Sequence, residues 1–364
     1  MAYNGVKKPR FYIDEIQYLQ SIGFDFKKHY EDNYFQDENQ TRTTYLDNPN
    51  LFGLSPENQK EIVLNDVGVY IDSPSIINNI EGDNIGRYIA LLNHKDIDSY
   101  TTSWVNSNDG TEKDRNYGDI EILNYESHSS IDGCSILGYE SNVQNFNFNS
   151  NESTFSRINL FPKPSNNSFF IGSISQGIYY DLRSPDLDVE LTTEFDGFST
   201  TKTLGGSTIT NVRYAGSPWW YDVDANKIEP WSVGESSNLT KRNGRRVWSL
   251  KFSYLSDTDI FASNNMSNNY YEHSTSQTTD NIYNDVGDLS DDANDFRYTL
   301  EEDNSFMAQV INRIGNGQRF IFQPDKTNNN PDQFAICMLD MDEFSVKQVA
   351  HRTYSFDLKI REVW

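Results

Sequence analysis

Cysteine is scarce in this chain: only Cys134 and Cys337 occur, far apart in sequence. Two cysteines exclude a disulfide framework and leave room for one bridge at most. The favoured expectation is two buried thiols in a protein made in a reducing cytoplasm. Long apolar runs are also missing. The opening segment MAYNGVKKPRFYIDE has no apolar signal-peptide core, and no stretch approaches the length of a membrane helix. The expectation is a chain neither exported by a signal nor spanning a membrane. Positive charge is short: 30 Lys and Arg stand against 54 Asp and Glu, a net charge of −24. A nucleic-acid-binding surface needs Lys and Arg against phosphates, so that class is disfavoured, as is docking on anionic lipid.

Catalytic and metal motifs are missing in their proper context. The five histidines, His29, His94, His128, His273 and His351, are scattered, with no HExxH and no Cys-x-x-Cys. No GxSxG and no GK[ST] occurs. Asp222, Asp224 and Asn226 have the one-three-five spacing of a calcium loop. Lys227 replaces its glycine, however, and Val233 its closing glutamate; a hydrophilic turn is the better reading. Gly315-Asn316-Gly317 follows a helical pattern instead of opening one, so it reads as a helix end and not a phosphate loop. Chance carboxylate pairs are inevitable among 54 acids, and a glycosidase needs two at a defined separation. No catalytic residue, cofactor site or metal site is assigned.

Aromatic residues are plentiful: 22 Tyr, 22 Phe and 6 Trp. A disordered acidic chain would be poor in them, so the sequence implies folded β-rich domains with long polar loops. A chain of 364 residues suggests two or three domains and can bury a sizeable core. Residues 1–58 contain an apolar stretch in which Phe11, Ile13, Ile16, Leu19 and Ile22 could line a short helix or an irregular strand; its fold is left open. Residues 59–190 hold short strand patterns, EIVLNDVGVYI, RYIALLN, DIEILNY, GCSILGY, QNFNF, FSRINLF and SFFIGSI. Short strands separated by turn signals indicate a jelly-roll-like β-sandwich.

Residues 191–364 continue in β style. DVELTTEF and TITNVRY read as strands, with a turn at Gly205-Gly206. In RRVWSLKFSYL, Trp248, Leu250, Phe252 and Tyr254 alternate with polar residues, the mark of a half-buried antiparallel strand. A long polar loop is expected over 256–304, ordering only against a neighbouring subunit. Phe306, Met307, Val310, Ile311 and Ile314 predict a helix capped by Asp303 or Asn304 and ended by Gly315 and Gly317. RFIFQP, QFAICML and TYSFDLKIREVW read as three further strands, the last with Tyr354, Phe356, Leu358 and Ile360 on one face. Trp219 and Trp220, beside Pro218, could stack on a sugar or anchor an interface. Core packing at a bend is the favoured alternative, since Trp is usually mostly buried.

GRRVWSLKFSYL at 244–255, the helix, GNGQRFIFQPD at 315–325 and FSVKQVAHRTYSFDLKIREVW at 344–364 together resemble phage distal tail proteins and lambda-type minor tail proteins. Arg319, Phe320 and Phe322 stand at the middle strand of that pattern, and Trp364 ends the chain. Residues 170–214 are similar to tail-associated proteins of marine phages. RYIALLN through SFFIGSI resembles galactose-binding-like or discoidin-like jelly rolls. The resemblance implies a mainly β protein: a β-sandwich or barrel tail-hub domain at 191–364 with one flanking helix, plus the inserted sandwich at 59–190. It implies a ring, most often a hexamer, partnered by the tail tube and other baseplate or tip proteins. DNA would be only a transient cargo in the channel, and the location would be the virion tail. It carries no catalytic residues. Trp219, Trp220, Trp231, Arg319 and Trp364 are the candidate interface or glycan contacts. The rival classes are a host-glycan-binding adsorption module and a virion enzyme that degrades glycan.

Overall fold

A computed structural model of the chain describes residues 6–24, 26–27, 42–44, 49–63, 69–75, 84–106, 112–114, 119–123, 133–140, 154–164, 166–195, 198–212, 217–220, 231, 244–256, 260, 305–315 and 317–364. The expected QNFNF strand, the Asp222-Asp224-Asn226 turn and nearly all of the expected loop at 256–304 lie outside them.

The strands run in chain order as follows. The first half contains β1 (Arg10–Asp14), β2 (Arg42–Thr44), β3 (Lys60–Val63), β4 (Val69–Ser75), β5 (Ile85–His94), β6 (Ile97–Asn106), β7 (Glu112–Asp114), β8 (Asp119–Leu123), β9 (Gly133–Glu140) and β10 (Thr154–Pro162). Then come β11 (Ser168–Ile171), β12 (Ser173–Asp181), β13 (Glu190–Glu194), β14 (Phe198–Lys202), β15 (Thr208–Val212) and β16 (Arg245–Ser256). The last four are β17 (Phe320–Gln323), β18 (Ala335–Leu339), β19 (Val346–Ala350) and β20 (Thr353–Glu362). Helix α1 spans Glu15–Ser21.

Eleven strands form one antiparallel sheet in the order β13-β16-β20-β18-β17-β1-β12-β5-β9-β8, with β19 also beside β20. Its two ends do not meet, so the protein is mainly β with an open sheet and not a barrel. The expected boundary at 190/191 falls inside β13, and the sheet draws strands from both sides of it.

Strand β1 joins the two halves. It pairs with β12 through Phe11↔Tyr180 and with β17 through Phe11↔Phe322. Alternation explains how one short strand serves two cores. Phe11 and Ile13 enter a core with Phe320, Phe322, Trp248 and Phe252, while Tyr12 enters another with Tyr88, Ile321 and Phe334. Glycine is required where β1 ends: Gly177 has φ +155, and a Cβ there would collide with the carbonyl of Ile13.

A second sheet, β2-β4-β10-β6-β7, covers part of the first. Ile71, Ile97, Ile158 and Leu160 meet Ile89, Leu91 and Ile174 of the large sheet, and Ile16 and Leu19 of α1 complete that core. Two facing layers with apolar inner faces constitute a β-sandwich. Asp14 starts α1 because its side chain accepts from the Gln17 N–H at 2.8 Å.

Three local departures have identifiable causes. The predicted alternation of β16 fails at its end. Phe252 pairs with Phe356, but Leu255 pairs with Tyr354, which leaves one extra residue on β16. This β-bulge puts Tyr254 at φ 59 and turns it into solvent, while Leu255 takes the buried place. The helix at 306–314 opens as a π turn at Met307–Ile311 and closes as an α turn at Asn312–Ile314. Ser305 caps it, its hydroxyl accepting from the Ala308 N–H at 3.2 Å; the expected caps Asp303 and Asn304 lie outside the described residues. Finally, Ile22 is exposed, because α1 ends at Ser21 and the chain turns at Gly23.

Candidate assembly surface

Three of the candidate tryptophans converge on one core. Trp220 and Trp231 pack with ring centroids 5.1 Å apart, and Trp220 lies 5.8 Å from Phe334. Both indoles are buried, and Trp231 Nε1–H donates to Cys134 Sγ at 3.3 Å. Trp364 packs against the same core half-buried, with the Arg245 guanidinium 4.6 Å from its ring centroid. Trp219 is half-buried beside them. Trp220 and Trp231 therefore offer no ring face to a sugar or a neighbour.

Arg319 ties three segments of its own chain together. Its Nη1 donates to the Leu54 carbonyl at 2.9 Å and to Ser55 Oγ at 2.8 Å. Its backbone N–H donates to Gln17 Oε1 at 3.3 Å. The guanidinium thus ties the start of β17 to the 49–55 segment, while the Arg319 backbone ties it to α1.

Buried polar groups form ties of the same kind. Arg246 Nη2 and Nε donate to the Glu362 carboxylate at 2.9 and 3.0 Å, and Ser217 Oγ–H donates to Glu362 Oε2 at 2.8 Å. Arg10 and Lys326 share Asp181 at 2.5 and 2.7 Å. Asp14, Ser175 and Tyr88 form a hydrogen-bonded row, with Ser175 2.6 Å from Asp14 and 2.7 Å from Tyr88. Burial pushes the Asp14 carboxyl up to about 7, against the opposing hydrogen bonds from Ser175 and Gln17.

Both cysteines are free and buried, and burial pushes the Cys134 thiol up to about 11. Buried thiols of this kind are poor nucleophiles. His94 is buried with Nε2 3.0 Å from Ser135 Oγ. Among the described residues, no group of three or more His, Cys, Asp or Glu is placed to hold a metal ion. No helix among them is long and apolar enough to cross a membrane.

What the molecule does expose is the β13 end of the large sheet. Strand β13 pairs with β16 on one side and, among the described residues, ends the sheet on the other. Leu187 is fully exposed and Leu191 is 41% exposed, with Val189 between them leaning on the core. Leu191 lies within β13, and Leu187 lies at the bend that precedes the strand, so two exposed apolar side chains stand at this end of the sheet. The segment is fastened from behind: the Asp186 N–H donates to the Lys251 carbonyl at 2.8 Å, and Ser253 Oγ–H donates to Asp186 Oδ2 at 2.5 Å.

The next strands in the chain form the hairpin β14–β15, whose strands, among the described residues, pair with each other alone. Every described side chain from 199 to 211 is exposed. The turn is nevertheless well formed: Thr203 N–H donates to the Ser207 carbonyl at 2.8 Å, and Gly206 N–H donates to the Thr203 carbonyl at 3.0 Å. The strand signals of DVELTTEF and TITNVRY are readable in the sequence. That β13 ends the large sheet while β15 pairs with β14 outside it is not, because edge status depends on which strands arrive.

No family model matches the chain, and no curated protein or solved structure matches it either.

Proposed function

We propose that the chain is a non-enzymatic structural subunit of a bacteriophage tail, forming a ring that joins the tail tube to baseplate or tip components. The observation that carries this reading is the order of elements after Gly244. Strand β16, the helix at 306–314 and strands β17, β18, β19 and β20 come in this order among the described residues, and the five strands lie together in one antiparallel sheet. This is the order on which the likeness to distal tail proteins rests. Two further features support it. An open strand edge bearing apolar side chains suits assembly, because such an edge templates pairing with another chain. A net charge of −24 suits a wall past which DNA slides without adhering.

The glycan-binding reading gains nothing from Trp220 and Trp231, whose rings are buried. The enzyme reading gains nothing from Asp14, whose carboxyl is pushed up by burial, because it is enclosed by α1, Ser175 and Tyr88.

Electron microscopy of virions that carry this protein, with antibody labelling and mass spectrometry of purified tails, tests the proposal. The expected result is several copies around the tail axis. Absence from purified virions would overturn it, and so would a tail channel lined by Lys and Arg of this chain.

A further inference from the structure

We infer that the open edge of β13 is the docking site for the β14–β15 hairpin of a second copy of this chain, added there as extra strands. Three observations lead to this occupant. First, the hairpin is a preformed arm with both faces in solvent. A two-stranded ribbon is marginal alone and gains stability by joining a sheet. Second, among the described residues the outer side of β13 is unpaired, with Leu191 on it and Leu187 just before it exposed. Addition of a strand would satisfy its outward backbone groups and cover the leucines.

The third observation is charge. The edge carries Glu190, with Asp188 just before it and Glu194 at its end, where Arg361 already pairs with Glu194 at 2.8 Å. Pairing β13 with β13 of another copy would set acid against acid, and like charges across a strand pair repel. Residues 198–212 contain no Asp or Glu, and their one charged residue is Lys202. In a chain of net charge −24, this exposed acid-free arm can approach the acidic edge without repulsion, and Lys202 is attracted to it. The chain's own hairpin does not occupy the edge: among the described residues β13 pairs with β16 alone, and β14 with β15 alone. Donor and acceptor are different surfaces, so the contact is heterologous and propagates from copy to copy until it closes. The inference thus deepens the ring reading and rests on it.

Cysteine cross-linking of the full chain tests the inference. Leu191→Cys places a thiol at the edge and Ile209→Cys places one on the hairpin, while the native Cys134 and Cys337 are buried. The two variants, distinguished by mass tags, are mixed and treated with a short bismaleimide. The expected product is the mixed L191C–I209C dimer. Only like-with-like dimers, or no cross-link, would overturn the inference. In parallel, Lys202→Glu, an exposed change outside every core, is expected to weaken self-association by roughly tenfold in native mass spectrometry; unchanged association would also overturn it. The two proposals fail separately. A ring seen in virions without the mixed cross-link removes hairpin docking alone. The mixed cross-link in a chain absent from virions removes the tail reading alone.

Discussion

The hydroxyl of Ser175, on β12, donates to Asp14 Oδ2 at 2.6 Å, and Asp14 at the same time caps α1 through its other oxygen. One fully buried carboxyl therefore links the end of β1, the start of α1 and the neighbouring strand. Its environment favours the protonated form, and the carboxyl titrates at about 7 against an ordinary 3.8.

A folded-state value above the unfolded one means that the native protein binds the extra proton. The stability from this group is fully present below about pH 4 and is lost as pH rises through about 7. Asp14→Asn keeps the cap and cannot ionise. Its stability relative to wild type is expected to rise by up to about 4 kcal/mol between pH 4 and pH 8. Urea denaturation at several pH values measures this, and a pH-independent difference would defeat it.

Glu362 is buried beneath Arg246 and receives three side-chain hydrogen bonds from Arg246 and Ser217. Glu362→Ala leaves the guanidinium without its counter-charge. A loss of about 3 kcal/mol or more is expected by chemical denaturation. Ser217→Ala removes one bond to the same carboxylate and is expected to cost about 1 kcal/mol. Equal losses for the two variants would show that the carboxylate is not the centre of this tie.

Tyr254 sits at φ 59 in the β16 bulge with its ring in solvent. The left-handed region costs an L-residue about 1 kcal/mol, and glycine avoids that cost. Tyr254→Gly is expected to stabilise the protein by about 1 kcal/mol, read as a raised Tm. A lowered Tm would mean that the exposed ring makes contacts worth more than the backbone strain.

Cys134 and Cys337 are free, buried and held as neutral thiols by their surroundings. Neither is expected to react with a thiol reagent in the native protein over minutes, and both should react on denaturation. Rapid labelling of one equivalent under native conditions would show that the β9 or β18 region opens locally.

Much of the molecule is legible in the sequence. Strict alternation locates Trp248, Leu250 and Phe252 on one face of β16, and Tyr354, Phe356, Leu358 and Ile360 on one face of β20. The helix at 306–314 is legible from its apolar face and its closing glycines. Alternation and turn residues are local signals, so a single strand carries them. Alternation fails at Tyr254, because the bulge is set by the register against β20 and not by β16 itself. It cannot rank the tryptophans either: Trp220 and Trp231 are as aromatic in a core as on a surface, and only the arrival of Phe334 and Cys134 buries them.

The sequence alone determined that this protein is acidic, rich in aromatics, poor in cysteine and built from strands, since composition and two-residue periodicity need no partner to be read. Tertiary structure decided that β1 welds the halves into one sheet, that Asp14 is enclosed and that β13 is left at an open edge. Each of these depends on pairing between segments far apart in the chain. Strand order arises from burial and hydrogen bonding summed over the whole fold, and no local stretch of residues records it.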